Sequence, residues 1–159
     1  MDAQRMIEAL NRSLSVEYAA VIQYMQSSFL VQGTEREYLA EFFRNEAKGS
    51  LGHVQRFGEK IVALGGLPTV EPVAVRQAAD VAEMLQQALA LEKEAQASHF
   101  AALRLLPSEA QEEAPDTALR VMLEDLVEQE QRDIEELEKL LAMRRPAVAV
   151  KEVRFRQVR

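Results

Sequence analysis

Four long stretches in which apolar residues recur every third or fourth position dominate this sequence, and that period demands amphipathic helices packed against one another. The first runs from about Ala3 to Val31 through Met6, Leu10, Leu14, Val21 and Tyr24. Gly33 stops it. Thr34 and Glu37 then stand three apart, the spacing of a capping box, and open a second stretch through Phe42, Phe43, Val54, Phe57 and Ile61 to Leu64. Gly65, Gly66 and Pro68 end that one. Asp80 and Glu83 repeat the box before a third stretch, which carries Val81, Leu85, Ala88, Leu91, Ala95 and Leu103 to about Leu106. A polar segment from Pro107 to Pro115 follows. Asp116 then reads as the N-cap of a fourth stretch with Leu119, Met122, Leu123, Leu126, Ile134, Leu137 and Leu140. Each predicted helix has about 25 residues and is about 38 Å long.

Residues 67–79 carry Pro68 and Pro72 and no helical period, so they read as a connection. Extended, they reach roughly 43–47 Å, enough to run back along a whole helix. The expected fold is therefore all-α, a four-helix bundle with one long crossover between helices 2 and 3, made of two antiparallel hairpins packed face to face.

The 159 residues suit one domain with a continuous core. Cysteine is absent, which excludes disulfides, thiolate metal sites and cysteine nucleophiles. No apolar run approaches the ~18 residues of a membrane span, and the first residues show no signal pattern, so a cytoplasmic location is expected. The net charge is −7, yet residues 144–159 carry six cations against Glu152 alone. Two units follow: a bundle over 1–143 and a basic tail over 144–159. Pro146 breaks the helical period there, and Val148, Val150, Val153 and Phe155 alternate as in short extended segments. A solvated or subunit-bridging strand is the expected role of the tail. An acidic body disfavours nucleic acid and favours cations.

Polar residues on the apolar stripes are the informative exceptions. Seven residues make two helical turns with little drift. At that spacing Glu17 lies in line with Leu10, Tyr24 and Val31. His53 lies in line with Glu46 and Lys60, with Ser50 beside it. Glu92 and His99 share the line of Leu85 and Leu106, and Asp133 that of Leu119, Leu126 and Leu140, with Glu130 one turn before it. A single histidine on such a stripe is usually a hydrogen-bonded core residue. Here, however, all four helices offer an inward acid or imidazole. Glu17, Glu92, Glu130 and Asp133 would gather about four negative charges, each costing several kcal/mol to desolvate. Two divalent metals would neutralise them. Carboxylates with an imidazole suit iron or manganese, with zinc a further possibility.

These residues resemble a known family. Leu10-Asn11, Glu17 and Val21-Ile22-Gln23-Tyr24 are similar to the first helix of bacterioferritins. Leu51-Gly52-His53, Ile61 and Leu64-Gly65-Gly66-Leu67-Pro68 resemble their second helix and its exit, and Ala88-Leu89-Ala90-Leu91-Glu92 their third. The resemblance covers most of the first 141 residues, weakens on the fourth helix and does not include the tail. It implies a dinuclear iron centre, two ions per chain, that takes one Glu from each of two helices and Glu-x-x-His from each of the others. Glu17 and Glu92 then hold the terminal carboxylate positions, His53 the imidazole, and Glu130 the bridging carboxylate. Asp133 stands where the family has a second imidazole. Ser50 stands where it has a second bridging Glu. Glu46, one turn away, and His99 are the two candidate substitutes, and His99 reads equally well as a core histidine. Leu51 occupies the place of the family's haem-ligating Met, so haem is not expected.

The function implied by the resemblance is ferrous iron oxidation by dioxygen or peroxide, a possible ferroxidase, with storage or detoxification in a homo-oligomer, a dimer or larger shell. A non-storage di-iron or dimanganese oxidase or peroxidase is the alternative, and a structural bundle with a degenerate site is the third reading.

Overall fold

The computed structural model describes residues 1–142. The tail over 144–159 lies outside them. The described residues form four helices, α1 (Ala3–Leu30), α2 (Arg36–Ala63), α3 (Val81–Leu103) and α4 (Ala114–Ala142), with a short 3-10 turn at Glu109–Gln111. No strand occurs among them. No helix among them is long and apolar enough to cross a membrane.

Local chemistry sets the helix ends. The Asp2 carboxylate accepts from the Arg5 N–H at 3.2 Å and caps α1. Gly33 adopts φ 88°, a left-handed conformation that costs glycine little. The turn it makes, closed by the Arg36 N–H on the Gly33 carbonyl at 3.2 Å, corrects the expected start of α2. Glu35 takes the N-cap position and Thr34 falls one residue too early to cap. At the other end of α2, Gly65 has φ 84°. There the Gly66 N–H reaches the Ile61 carbonyl and the Gly65 N–H that of Val62, both at 2.9 Å, the Schellman closure of a helix. Gly66 packs so tightly that a Cβ would lie 2.7 Å from Ile7 Cγ2.

Asp80 caps α3 as expected, accepting from the Glu83 N–H at 3.0 Å. The box is only half made, because the Glu83 side chain accepts from Gln87 instead. The start of α4 also differs from expectation. It begins at Ala114, so Asp116 lies inside the first turn. Pro115 explains the shift, since its ring presets helical φ where no N–H is needed.

Cross-helix pairs give the directions. Tyr24 of α1 stacks near Phe43 of α2, and Met6 and Leu10 pack with Phe57 and Ile61, so α1 and α2 are antiparallel. Gln96 meets Gln131, and Lys93 meets Glu138, which makes α3 and α4 antiparallel. His53 and Arg56 face Gln129 and Asp125 in the same opposed sense across α2 and α4. Parallel α2 and α3 require the crossover, and it is seen: Thr69 N–H bonds the Asn11 side chain, Val73 N–H the Ser15 carbonyl, and Arg76 N–H the Gln23 side chain. The connection thus runs the length of α1.

The core is divided. One apolar cluster, with Tyr24, Leu39, Phe43, Leu85 and Leu91, fills one end. Another, with Leu10, Leu14, Phe57, Ile61, Leu123 and Leu126, fills the other. Each buried Leu or Phe contributes about 1.5–3 kcal/mol. Between these plugs lies a polar layer.

Candidate metal centre

The polar layer receives side chains from all four helices. Glu17, His53, Glu92, His99 and Glu130 are buried, and Asp133 and Glu46 are half-buried. Two groups form within it. In the first, the ligand atoms of Glu17, His53, His99 and Glu130 all lie within 4.8 Å of one another. In the second, those of Glu92, Glu130 and Asp133 do so. Glu130 belongs to both. The five site residues expected from the sequence are therefore brought together, and His99 joins them. Glu46 stands near the second group without entering it. Ser50 turns back on its own helix, donating to the Glu46 carbonyl at 3.2 Å, and brings no carboxylate to the centre.

In the first group the His53 Nδ1 lies 3.3 Å from Glu17 Oε1 and 3.0 Å from Glu130 Oε1. His99 Nε2 lies 2.8 Å from Glu17 Oε1 and 3.5 Å from Glu130 Oε1. Despite these distances, His53 Nδ1 and Glu130 Oε1 have no hydrogen-bond partner. Two buried polar atoms at contact range without a bond are what a shared cation between them would resolve. The donor set, imidazole and carboxylate in an otherwise apolar bundle, fits a transition metal of the iron, manganese or zinc type.

Outer partners fix the inner ones. Gln129 donates from Nε2 to Asp125 at 2.8 Å, which leaves its Oε1 facing His53 Nε2 at 3.2 Å. Arg56 anchors the same Asp125 at 2.6 Å. His99 Nδ1 meets the hydroxyls of Ser13 and Ser98, both at 3.2 Å. Tyr24 donates its hydroxyl to Glu92. An approximate two-fold relation appears: Tyr24 of α1 holds Glu92 of α3, and His99 of α3 meets Glu17 of α1. Gln129, Ser13 and Ser98 were not singled out in the sequence. Only the position of Ser13, one turn before Glu17 on the same face, carried a signal for them.

Electrostatics follow from crowding. Burial tends to discharge the His53 imidazole, but the carboxylates of Glu130 and Glu17 outweigh it and hold its pKa up at about 10. His99 is raised by the same two acids against the same burial penalty. Burial also pushes Glu130 up, yet Glu92 and both imidazoles prevail and hold it well below the usual carboxylate range. Glu92 is driven well up by burial and by Glu130. Asp133 rises to about 6 through burial and Glu130, and Glu46 to about 7 through burial, Asp133 and Glu130.

A cleft of about 280 Å³ opens between α2 and α4, lined by Glu46, Ser50, His53, Glu92, Glu130 and Asp133 among others. A larger groove of about 700 Å³ over the start of α2 is lined by none of the buried acids or imidazoles.

Two antiparallel helix pairs that share a buried carboxylate and imidazole layer make a four-helix bundle with a candidate metal centre. The chain belongs to the ferritin-like domain family, whose description matches residues 7–145. It is 29% identical to a bacterioferritin of Mycobacterium leprae over 139 residues, 86% of this chain and 84% of that protein. It is 36% identical to a nutrient stress-induced DNA-binding protein of Synechococcus sp. over 70 residues, 44% of this chain and 40% of that one. That match therefore spans less than half of the relative's length. A structure from Bacillus anthracis described as ferritin-like, diiron-carboxylate proteins shares 38% identity and a TM-score of 0.81, over 89% of this chain and 98% of that one. The bacterioferritin-like reading of the sequence is borne out by these comparisons.

Proposed function

We propose that this protein binds a pair of iron ions in the polar layer and oxidises ferrous iron there. The observation that carries this reading is the pair of donor groups that share Glu130 at the centre of the bundle. Glu17, His53 and Glu130 would hold one ion, and Glu92, Glu130 and Asp133 the other. Bound iron supplies the redox chemistry, with dioxygen or peroxide accepting the electrons. Two ferrous ions give up one electron each, and dioxygen takes both with two protons to become hydrogen peroxide. The residues of the chain orient the ions, and the two apolar plugs exclude water from above and below. Binding of the ions would release the proton that neighbouring carboxylates hold on His53 against its burial, and the one that burial and Glu130 hold on Glu92, which keeps the buried charge balanced.

The resemblance to bacterioferritins implies a homo-oligomer working in the cytoplasm, and the acidic chain, net −7, is read as a cation binder and not as a partner of DNA. A non-storage oxidase or peroxidase is the second reading, favoured by the cleft that opens onto Glu92, Glu130 and Asp133. Anaerobic ferrous loading followed by air tests both. Consumption of dioxygen with hundreds of ferric ions retained per assembly supports oxidation with storage. About two ions per chain, with turnover, supports the oxidase. No iron-dependent consumption of dioxygen, or of hydrogen peroxide added in its place, would reject both.

A further inference from the structure

The first donor group contains one residue too many for half of a dinuclear centre. Besides Glu17, His53 and Glu130 it includes His99, fully buried and aimed at the same carboxylate oxygens. We propose that Glu17, His53, His99 and Glu130 form a complete, closed site for a single divalent cation, with two nitrogen and two oxygen ligands. The proposal rests on the reading that this layer binds metal, and it assigns the chain one tightly held ion beside an open, oxygen-only position.

Three independent observations carry it. The first is spacing. Four ligands at about 2.0–2.1 Å from a tetrahedral ion lie about 3.3 Å apart. The four nitrogen-to-oxygen separations here are 2.8, 3.0, 3.3 and 3.5 Å.

The second is the state of the imidazoles. A metal-binding histidine donates its other ring nitrogen to an outer acceptor, which frees the inner lone pair. Gln129 cannot turn its amide, because its Nε2 is bonded to Asp125, so its Oε1 accepts from His53 Nε2 and leaves Nδ1 free to ligate. The Ser13 and Ser98 hydroxyls can likewise accept from His99 Nδ1, leaving Nε2 toward the carboxylates. The two rings reach the same centre through opposite nitrogens, each backed on its far side.

The third is the orphaned pair. Glu130, 1% exposed, presents an Oε1 that is 3.0 Å from His53 Nδ1 without bonding it. At that distance the ring N–H direction misses the oxygen, so no hydrogen bond satisfies either atom. A cation held by both would satisfy them.

Enclosure differs across the layer: His53 and Glu130 line the cleft together with Glu92 and Asp133, whereas Glu17 and His99 do not. Phe57 lies edge-on to His99 at 4.8 Å between ring centres and covers it on the side of the second apolar plug. Closed four-ligand sites hold an ion, whereas sites with an open position expose it to reaction. Imidazole also favours zinc-like and later transition ions over the harder ions that carboxylates suit. The loss of a carboxylate at Ser50 and the presence of an imidazole at His99 thus become one change. The ligand missing from α2 is replaced from α3, and the replacement serves only one of the two positions.

With only two histidines in the chain, both rings can be followed in the unmutated protein. Metal-free full-length protein, labelled with nitrogen-15 in histidine, is titrated with zinc chloride and followed by long-range proton–nitrogen correlation. The expected result is that the first equivalent shifts both rings together, His53 at Nδ1 and His99 at Nε2. His99→Gln should then lower zinc affinity at least about tenfold, since loss of an outer partner alone costs about 10–100-fold. It should also abolish the intense visible bands of four-coordinate cobalt(II) from the first equivalent and leave the second unchanged. If zinc shifts His53 and leaves His99 in its metal-free state, the four-ligand site is wrong while the metal centre stands. If zinc shifts neither ring and equilibrium dialysis retains none, both fall.

Discussion

The two halves of the polar layer share Glu130 and the same four helices, yet differ in donor chemistry and access. Around Glu17 the donors include two imidazoles, all four residues are buried, and each ring is braced from behind. Around Glu92 every donor is a carboxylate, Asp133 is half-buried, and all three residues line the cleft, which reaches His53 and Glu130 of the first group but not Glu17 or His99. Burial and nitrogen ligands favour retention of an ion. Exposure and oxygen ligands favour exchange. One bundle can therefore present a holding position and a working position a few ångströms apart, and the difference comes from three breaks in its approximate two-fold symmetry: Asp133 opposite His53, Ser50 opposite Glu130, and Tyr24 opposite His99.

The largest expected effect comes from the residue that both halves use. Glu130→Ala should reduce retained metal from about two ions per chain to fewer than one, the site having lost its only shared ligand. Elemental analysis after dialysis reads this directly, and undiminished metal would break the shared-carboxylate arrangement. Glu92→Ala should be selective. It should remove the ion of the open half, leave about one per chain, and abolish ferrous oxidation. Unchanged metal content in that variant would show that the open group is no metal position.

Ser50→Glu should sharpen the comparison by supplying an acid on the cleft side. Metal occupancy and oxidation rate should rise, and a gain of about 1.4 kcal/mol would appear as tenfold tighter binding. A folded variant with no gain in either quantity would show that access, and not the missing ligand, limits the open half.

The smallest effect separates the halves by pH in the metal-free protein. Asp133 at about 6 and Glu46 at about 7 keep protons that the unfolded chain releases near its ordinary values of 3.8 and 4.5. Their stabilisation is present below those values and is lost as pH rises through about 7. His53, held at about 10, contributes fully below 6.5 and loses its contribution as pH climbs to about 10. Both windows have the same sign, so Tm should fall as pH rises. The lower window reports the open half, and the upper one the closed half. Zinc should flatten the upper window first. A Tm that rises across both windows would show that these protons are not held by the fold.

Much of this architecture was written in the chain. The helical period of Leu10, Leu14, Leu85, Leu91, Leu119 and Leu126 located the helices, because a stripe must be buried and burial needs a partner stripe. The length of the connection after Gly65 required the crossover. The inward phase of Glu17, His53, Glu92, Glu130 and Asp133 marked the polar layer, because period alone tells which face a residue occupies. Helix starts were less legible. Thr34 and Asp116 carry the right chemistry for caps, but a turn at Gly33 and the preset ring of Pro115 placed the first helical residue elsewhere. What period cannot give is distance across the bundle. Whether His99 faces a hydroxyl or a carboxylate depends on the rotation and offset of α3 against α1, and those are set by how the two apolar plugs pack. Packing brought His99 within 2.8 Å of Glu17, turned Ser50 back onto its own helix, and left Glu46 at the rim. The sequence by itself determined the bundle and the residues facing its centre. Only the tertiary structure decided which of them meet, because side chains one helical turn apart share a face but reach partners on different helices.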